Sequence, residues 1–194
     1  MYNKQERRVP VLYLDIDGTV RHGKDQLGRF VNGPEDVVVF PEAVRQMKRW
    51  REAGGRIIGV SNQGGIALGL VDPVEVEKAM QRTHILCDHM FDKMGWCMHH
   101  PDAEDPEMAR CWCRKPAPGI AIECALSLAR AVGFSEIYPP HLALFVGDRP
   151  EDEQCAKALN VDFLPAEEWR AQAPSELALP VAQITTGPLI VLPN

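Results

Sequence analysis

Short apolar segments that stop at polar residues recur along the chain. The segments 9–15 and 56–60 are mostly apolar, and each is followed by a polar turn that contains glycine. Because neither alternates between polar and apolar positions, both are typical of strands buried on two faces, as in a parallel sheet. The same pattern predicts further strands at 94–98, 142–147 and 161–164.

Segments with apolar residues at helical spacing separate these strands. The segment 41–53 has apolar residues at positions 43, 44, 47 and 50, and the glycine pair that follows it is typical of a helix end. Further helices are predicted at 73–90, 118–132 and 151–159. Strands that alternate with helices predict an α/β fold with a doubly wound, Rossmann-like parallel sheet.

The pattern also predicts the domain organisation. One domain spans 1–172, and a chain of 194 residues has room for little more than one domain with a real core. From 173 to 194 the periodic signal fades and proline and glycine interrupt the apolar residues, so we expect a C-terminal extension there.

Composition and charge narrow the class of protein. With 45% hydrophobic and 25% charged residues and a net charge of −6, the chain is globular and mildly acidic. That balance disfavours binding to nucleic acid or to an anionic membrane, which depends on Lys and Arg. No apolar stretch approaches the roughly 20 residues of a membrane helix, and the N-terminal segment is polar. We therefore expect a cytoplasmic, monomeric protein whose partner is a small phosphorylated substrate.

Polar side chains follow the predicted strands at the edge of the sheet where ligands bind in doubly wound folds. The groups at this edge are carboxylates, a hydroxyl, an amide and two cations from a nearby loop: Asp15, Asp17, Ser61, Asn62, Asp148, Arg114 and Lys115. Such a set is suited to phosphoryl transfer with Mg²⁺, because the metal prefers oxygen ligands and the cations offset phosphate charge.

Two of these carboxylates are suited to separate chemical roles. Asp15 is the predicted nucleophile, since an acyl phosphate divides one difficult hydrolysis into two easier steps. Asp17 lies two residues later, just before a turn at Gly18 that lets it reach the opposite side of the phosphorus, where it would protonate the leaving oxygen and then activate water. Ser61 and Asn62 would donate hydrogen bonds to the phosphate oxygens.

These residues resemble the motifs of the haloacid dehalogenase superfamily of phosphatases. The segment 15–19 (DIDGT) resembles motif I, Ser61 motif II, Lys115 motif III, and the segment 147–152 (GDRPED) motif IV. The resemblance implies Mg²⁺-dependent hydrolysis through an aspartyl phosphate. It also implies metal ligands at Asp15, at the backbone carbonyl of Asp17, and at Asp148. Asp152 either supports the metal site indirectly or stabilises the start of its helix.

Two pairs of potential metal ligands flank a polar loop. Cys97 and His99 form one pair, and Cys111 and Cys113 form the other. Three thiols and an imidazole suit a tetrahedral Zn²⁺ site of a structural kind, which would hold the following Arg114 and Lys115 over the crevice. His100 is the alternative to His99, and buried unreactive thiols are the alternative to a metal site.

The segments 97–100 (CMHH) and 111–119 (CWCRKPAPG) resemble the zinc loop of the histidinol-phosphate and heptose-bisphosphate phosphatase branch. That branch has a haloacid dehalogenase core without a large cap domain. The resemblance implies zinc ligands at Cys97, His99, Cys111 and Cys113. It also implies that Arg114 contacts substrate phosphate.

Within this branch the motifs point to two substrates. The long His99 to Cys111 interval and the segment 61–67 (SNQGGIA) resemble enzymes for D-glycero-D-manno-heptose 1,7-bisphosphate. Arg149, a candidate substrate-binding residue, is instead typical of histidinol-phosphate enzymes. We expect a sugar bisphosphate, with histidinol phosphate, a 3′-phosphorylated polynucleotide and a non-catalytic binding role as alternatives.

Overall fold

The computed structural model describes residues 7–25 and 31–173. Its strands are β1 (Arg7–Arg8), β2 (Val11–Leu14), β3 (Arg21–Gly23), β4 (Val37–Val39), β5 (Arg56–Asn62), β6 (Lys93–Cys97), β7 (Glu136–Ile137), β8 (Ala143–Gly147) and β9 (Asp162–Pro165). Its α-helices are α1 (Pro41–Glu52), α2 (Pro73–Leu86), α3 (Pro106–Ala109), α4 (Gly119–Ala131), α5 (Pro150–Leu159) and α6 (Ala166–Ala171). Two 3₁₀ turns lie at Pro34–Asp36 and Pro140–Leu142.

Five strands form the central sheet in the order β6, β5, β2, β8, β9, and all of their pairings are parallel. Strand β2 lies in the middle, where Val11 pairs with Arg56 on one side and with Ala143 on the other. The expected doubly wound α/β fold is therefore confirmed.

Successive side chains of the central strand enter two separate cores. Leu12 and Leu14 belong to a cluster that includes Met47 of α1, Met80 of α2 and Trp169 of α6.

Val11 and Tyr13 pack on the opposite face with Cys124 of α4 and Cys155 of α5. Burial on both faces explains why this strand reads as an unbroken apolar run.

The predicted elements are present with small shifts at their ends. The helix predicted at 73–90 ends at Leu86, because Asp88 and His89 have positive φ angles of 50° and 55° that no α-helix contains. The strand predicted at 9–15 is limited to Val11–Leu14, so Asp15 lies just beyond the end of β2.

The structure contains several short strands that the sequence analysis does not predict. Strands β3 and β4 form an antiparallel hairpin beside the ligand-binding edge, and β1 pairs with β7 over two residues. Strands of two or three residues are too short for a periodic pattern. Between β2 and α1 the described residues form this hairpin and a 3₁₀ turn, and no large cap domain is present among them.

The predicted C-terminal extension, 173–194, lies outside the described residues except for Ala173. In the described part of the chain, every helix is too short or too polar to cross a bilayer.

Candidate active site

A buried ion pair occupies the centre of the ligand-binding edge. Asp15 follows β2 and is 6% exposed, and the ammonium of Lys115 donates to its Oδ1. The same ammonium donates to the carbonyl of Val60 at 2.9 Å. Burial raises the pKa of Asp15, and the Lys115 ammonium opposes that rise. The nucleophile and the motif III lysine predicted from the sequence are thus in direct contact.

Asp152 supports this pair from the first turn of α5. Its Oδ1 lies 2.7 Å from Lys115 Nζ, and its Oδ2 accepts from the backbone N–H of Arg149 at 3.1 Å. The second contact caps the helix start, which is one of the two roles expected for Asp152. A side chain at Gly147 would collide with Asp152, since a Cβ there would lie 2.3 Å from the Cβ of Asp152.

Carboxylate oxygens suited to a metal ion converge beside the ion pair. Oxygens of Asp15, Asp148 and Asp152 lie within 4.8 Å of one another. Oδ2 of Asp15 is buried and has no hydrogen-bond partner in the described residues. An unpartnered buried carboxylate oxygen beside a second carboxylate fits a hard cation such as Mg²⁺.

Gly18 permits the close approach of Asp148. Its φ is 89°, and a Cβ at this position would lie 2.2 Å from Oδ2 of Asp148. A residue with a side chain would therefore be strained in its backbone and would also displace a candidate metal ligand.

Asp17 lies on the wall of the crevice with both carboxylate oxygens occupied. Oδ2 accepts from Gln63 Nε2 at 2.6 Å and from Ser61 Oγ at 3.2 Å. Oδ1 accepts from Arg21 Nε at 2.8 Å. The sequence analysis did not predict Gln63 or Arg21. The place of Gln63 in the polar turn after β5 was a usable signal, whereas Arg21 lies in the hairpin that sequence reasoning missed.

Asn62 is joined to the backbone of the lysine. Its Oδ1 accepts from the N–H of Lys115 at 3.0 Å, and its Nδ2 donates to the carbonyl of Lys115 at 3.0 Å. This two-point contact positions the loop that carries Lys115. Contact between Asn62 and a substrate phosphate stays a prediction.

The crevice is lined by Asp15, Asp17, Ser61, Asn62, Lys115, Arg149 and Asp152, which the sequence analysis singled out, and by Glu151, which it did not. Arg114 lies close by on the zinc-loop side, where its Nη1 donates to the carbonyl of His99 at 3.0 Å. Six of the seven predicted catalytic and substrate-binding residues therefore line one crevice, and Arg114 flanks it.

The two predicted pairs of zinc ligands form one cluster. Cys97 Sγ lies 3.6 Å from Cys111 Sγ and 3.2 Å from Cys113 Sγ, and His99 Nδ1 lies 3.3 Å from Cys113 Sγ. Tetrahedral Zn²⁺ with bonds of about 2.3 Å to sulfur places its ligands about 3.8 Å apart, which is somewhat wider than these contacts, and three thiols with one imidazole are a donor set that suits this ion. His100 is directed elsewhere, since its Nδ1 accepts from the backbone N–H of Asp102 at 3.2 Å.

No protein-family model matches the chain. Curated proteins with similar sequences do match it. A D-glycero-D-manno-heptose-1,7-bisphosphate 7-phosphatase from Chlorobaculum tepidum is 34% identical over 151 residues, which are 76% of this chain and 73% of the relative. The chain belongs to the heptose-1,7-bisphosphate phosphatase family. A second member of the family, from Yersinia pestis, is 33% identical over 79% of this chain and 77% of its own length.

Solved structures agree with this family of haloacid dehalogenase-type phosphatases. A HAD-like phosphatase from Mesorhizobium loti has a TM-score of 0.67 and 26% identity, over 80% of this chain and 70% of its own. The D,D-heptose 1,7-bisphosphate phosphatase of B. bronchiseptica, solved with magnesium and phosphate, has a TM-score of 0.61. At 24% identity, over 91% of this chain and 98% of that one, it supports the shared fold.

Proposed function

We propose that the protein hydrolyses D-glycero-D-manno-heptose 1,7-bisphosphate to a heptose monophosphate and inorganic phosphate. The observation that carries this proposal is the buried Asp15, held on one oxygen by Lys115 and unpartnered on the other beside Asp148. The curated family relatives, whose names specify the 7-phosphate, support the choice of substrate.

In the first step, a carboxylate oxygen of Asp15 attacks phosphorus and the bond from phosphorus to the sugar oxygen breaks. Asp17 gives its proton to that sugar oxygen, so the leaving group departs as an alcohol. Lys115 holds Asp15 in place and offsets negative charge as the anionic phosphate approaches. The products of this step are the heptose monophosphate and an aspartyl phosphate on Asp15.

In the second step, Asp17 removes a proton from water as the water oxygen attacks phosphorus. The bond between phosphorus and the Asp15 oxygen breaks, which releases inorganic phosphate and restores both carboxyl groups. The position of Asp17 in the same crevice as Asp15 supports its role in both transfers.

Asp15, Asp148 and the backbone carbonyl of Asp17 would hold Mg²⁺. When bound, the ion supplies positive charge that lets an anionic carboxylate approach an anionic phosphate. The three carboxylates around the site therefore need Lys115 and the metal together.

Ser61, Asn62, Arg114 and Arg149 are the proposed contacts to the substrate. Ser61 and Arg149 line the crevice, and Arg149 is 43% exposed, so its guanidinium can follow a substrate group. Arg114 lies next to Lys115 in sequence and is fixed by the His99 carbonyl, which suits contact with a second phosphate.

We propose a structural role for Zn²⁺ at Cys97, His99, Cys111 and Cys113. The loop between the ligand pairs is largely polar and buries little apolar surface, so a metal is the interaction best able to order it. The site adjoins Arg114 and Lys115 directly, and it would thereby hold them over the crevice.

The remaining assignments are proposals of the same kind. All six cysteines are unpaired thiols, which supports a reducing cytoplasmic location. The acidic net charge supports a small substrate in preference to nucleic acid. We also propose that residues 1–172 form the phosphatase domain, that 173–194 form a C-terminal extension, and that the protein is a monomer.

The decisive experiment is a phosphate-release panel with Mg²⁺. The substrates are the heptose 1,7-bisphosphate, histidinol phosphate and a 3′-phosphorylated oligonucleotide, with the Asp15→Asn variant as the control for contaminating phosphatases. We expect the highest kcat/KM with the heptose bisphosphate. Preference for histidinol phosphate or the oligonucleotide would replace the proposed substrate, and no release from any of them would favour a non-catalytic binding role.

A further inference from the structure

Arg21 is a buried cation that neither the motifs nor the proposed catalytic steps use. It lies on β3 and is 1% exposed, although its side chain carries a permanent positive charge. Excluding a charged group from water costs free energy, so proteins bury such a group only where other groups pair with it or hydrogen-bond to it. Its contacts therefore identify what it serves.

The guanidinium makes a two-point contact with Asp17. Arg21 Nε lies 2.8 Å from Oδ1 of Asp17, and Nη2 lies 3.4 Å from Oδ2. This fork-like geometry restrains the plane of the carboxylate as well as its position, which a single hydrogen bond does not do.

The third contact ties the guanidinium to the body of the protein. Arg21 Nη1 donates to Thr83 Oγ1 at 2.9 Å, and Thr83 donates in turn to the carbonyl of Ala79 at 2.7 Å within α2. Thr83 is fully buried. No residue of α2 lines the crevice, so this contact ties the orientation of Asp17 to a helix that the substrate does not touch.

Gln63 and Ser61 complete the support of Asp17 from the other side through its Oδ2. Gln63 is 8% exposed and also donates to Ser61 Oγ at 2.7 Å. The carboxylate is therefore held between β5 on one side and the hairpin on the other.

We propose that Arg21 is a positioning residue for proton transfer by Asp17, an inference that rests on the proposed function. Arg21 is not among the residues that line the crevice, so it acts on the substrate through the Asp17 carboxylate. General acid catalysis requires the donor within hydrogen-bond reach of the leaving oxygen. A misplacement of about 1 Å costs on the order of 100-fold in rate.

A substrate pair of different leaving groups separates this role from a purely structural one. The leaving group of 4-nitrophenyl phosphate departs without a proton, whereas the alkoxide of a primary alkyl phosphate requires one. The experiment measures alcohol release in a single turnover by rapid quench, together with KM, for the wild type, Arg21→Met and Arg21→Lys. Thermal denaturation of each protein measures the change in stability separately.

A matched control is available at the opposite end of the sheet. Arg56 begins β5 and forms ion pairs with Asp92 and Glu136. Arg56→Met therefore removes a partly buried arginine and its ion pairs without touching Asp17. It should lower stability while reducing the rates for both substrates by the same small factor.

For Arg21→Met we expect a loss of about 10-fold or more in the single-turnover rate with the alkyl phosphate. The loss with 4-nitrophenyl phosphate should be less than about 3-fold, and KM should stay nearly constant. Arg21→Lys, which keeps the charge but not the fork, should fall between the wild type and Arg21→Met. Equal losses with both substrates, or no loss, would overturn the inference.

Two further variants keep the test decisive. If Arg21→Met does not fold, Arg21→Lys and Thr83→Val replace it, since Thr83→Val removes only the anchor of the guanidinium. Suppose that the wild type is active and that Asp17→Asn loses more activity with the alkyl phosphate than with 4-nitrophenyl phosphate. If the Arg21 and Thr83 variants then show no such difference, the inference is wrong and the proposed function stands. If the wild type releases no phosphate at all, the proposed function fails and the inference with it.

Discussion

Lys115 and Asp15 lie 100 positions apart in the sequence, yet the Lys115 ammonium donates directly to Oδ1 of Asp15. Both side chains are almost fully buried. The charge on Lys115 also pairs with Asp152 at 2.7 Å. One cation therefore stabilises two buried carboxylates, and this arrangement predicts what happens when either is neutralised.

Asp15→Asn should abolish turnover while leaving the fold intact. The amide keeps the size of the side chain, and Lys115 retains Asp152 as a partner, but the variant has no nucleophile. We expect kcat to fall by about 1,000-fold or more, measured by phosphate release with Mg²⁺. Asp162→Asn, an exposed change on β9, is the control and should retain full activity. Turnover by Asp15→Asn near the wild-type rate would remove the nucleophile assignment.

Asp17→Asn should slow the enzyme most for poor leaving groups. An amide cannot supply the proton that an alkoxide needs, and such a loss costs about 100-fold or more. The measurement is the dependence of the single-turnover rate on leaving-group pKa across a series of aryl and alkyl phosphates. A uniform loss across the series would mean that Asp17 is not the acid.

The Cys97, His99, Cys111 and Cys113 cluster should hold about one Zn²⁺ per chain. Cys113→Ser removes one ligand and should lose most of the metal and lower Tm. Cys124→Ser is the matched control, because Cys124 is a buried thiol on α4 outside the cluster. Elemental analysis of protein purified without added metal measures the content. Equal zinc in the wild type and Cys113→Ser would exclude the cluster as the site.

Gly18→Ala and Gly54→Ala separate backbone strain from damage to the metal site. The two glycines have φ angles of 89° and 85°, so alanine should cost each protein about 1 kcal/mol of stability. Only the Cβ at Gly18 meets Asp148, whereas nothing lies within 4 Å of a Cβ at Gly54.

We therefore expect Gly18→Ala alone to raise the Mg²⁺ concentration for half-maximal activity, by about 10-fold. Titration of activity with Mg²⁺ measures this, beside thermal denaturation of both variants. An unchanged Mg²⁺ dependence for Gly18→Ala would contradict the proposal that Asp148 binds the metal.

Glu136 should make stability sensitive to acid. Hydrogen bonds from Arg56, together with Arg7, lower the pKa of Glu136 from 4.5 to about 2. The carboxylate therefore contributes stability above about pH 4.5, and this contribution is lost as pH falls toward about 2.

Glu136→Gln should cost about 2 kcal/mol near neutral pH, and this difference from the wild type should shrink as the solution is made acidic. Urea denaturation of both proteins at several pH values measures it. Glu153→Gln is the control, since Glu153 pairs with Lys157 on an exposed helix surface and should change stability little. A difference that does not depend on pH would contradict the assignment.

The sequence by itself determined the central sheet and the chemistry at its edge. Strands β2, β5 and β8 are buried on both faces, and such burial requires continuous apolar runs that are visible in one dimension. The residues that follow these strands must meet at one edge, because parallel strands share a direction. Asp15, Ser61 and Asp148 were therefore predicted together from their positions after the strands.

Only the tertiary structure decided how individual side chains are used. His99 joins the thiols and His100 turns toward Asp102, although the two are adjacent and chemically identical. Arg21 reaches Asp17 and Thr83 through a hairpin whose strands have three residues each. Side-chain direction and contacts between distant segments depend on three-dimensional packing, and a linear pattern of apolar and polar positions carries no information about either.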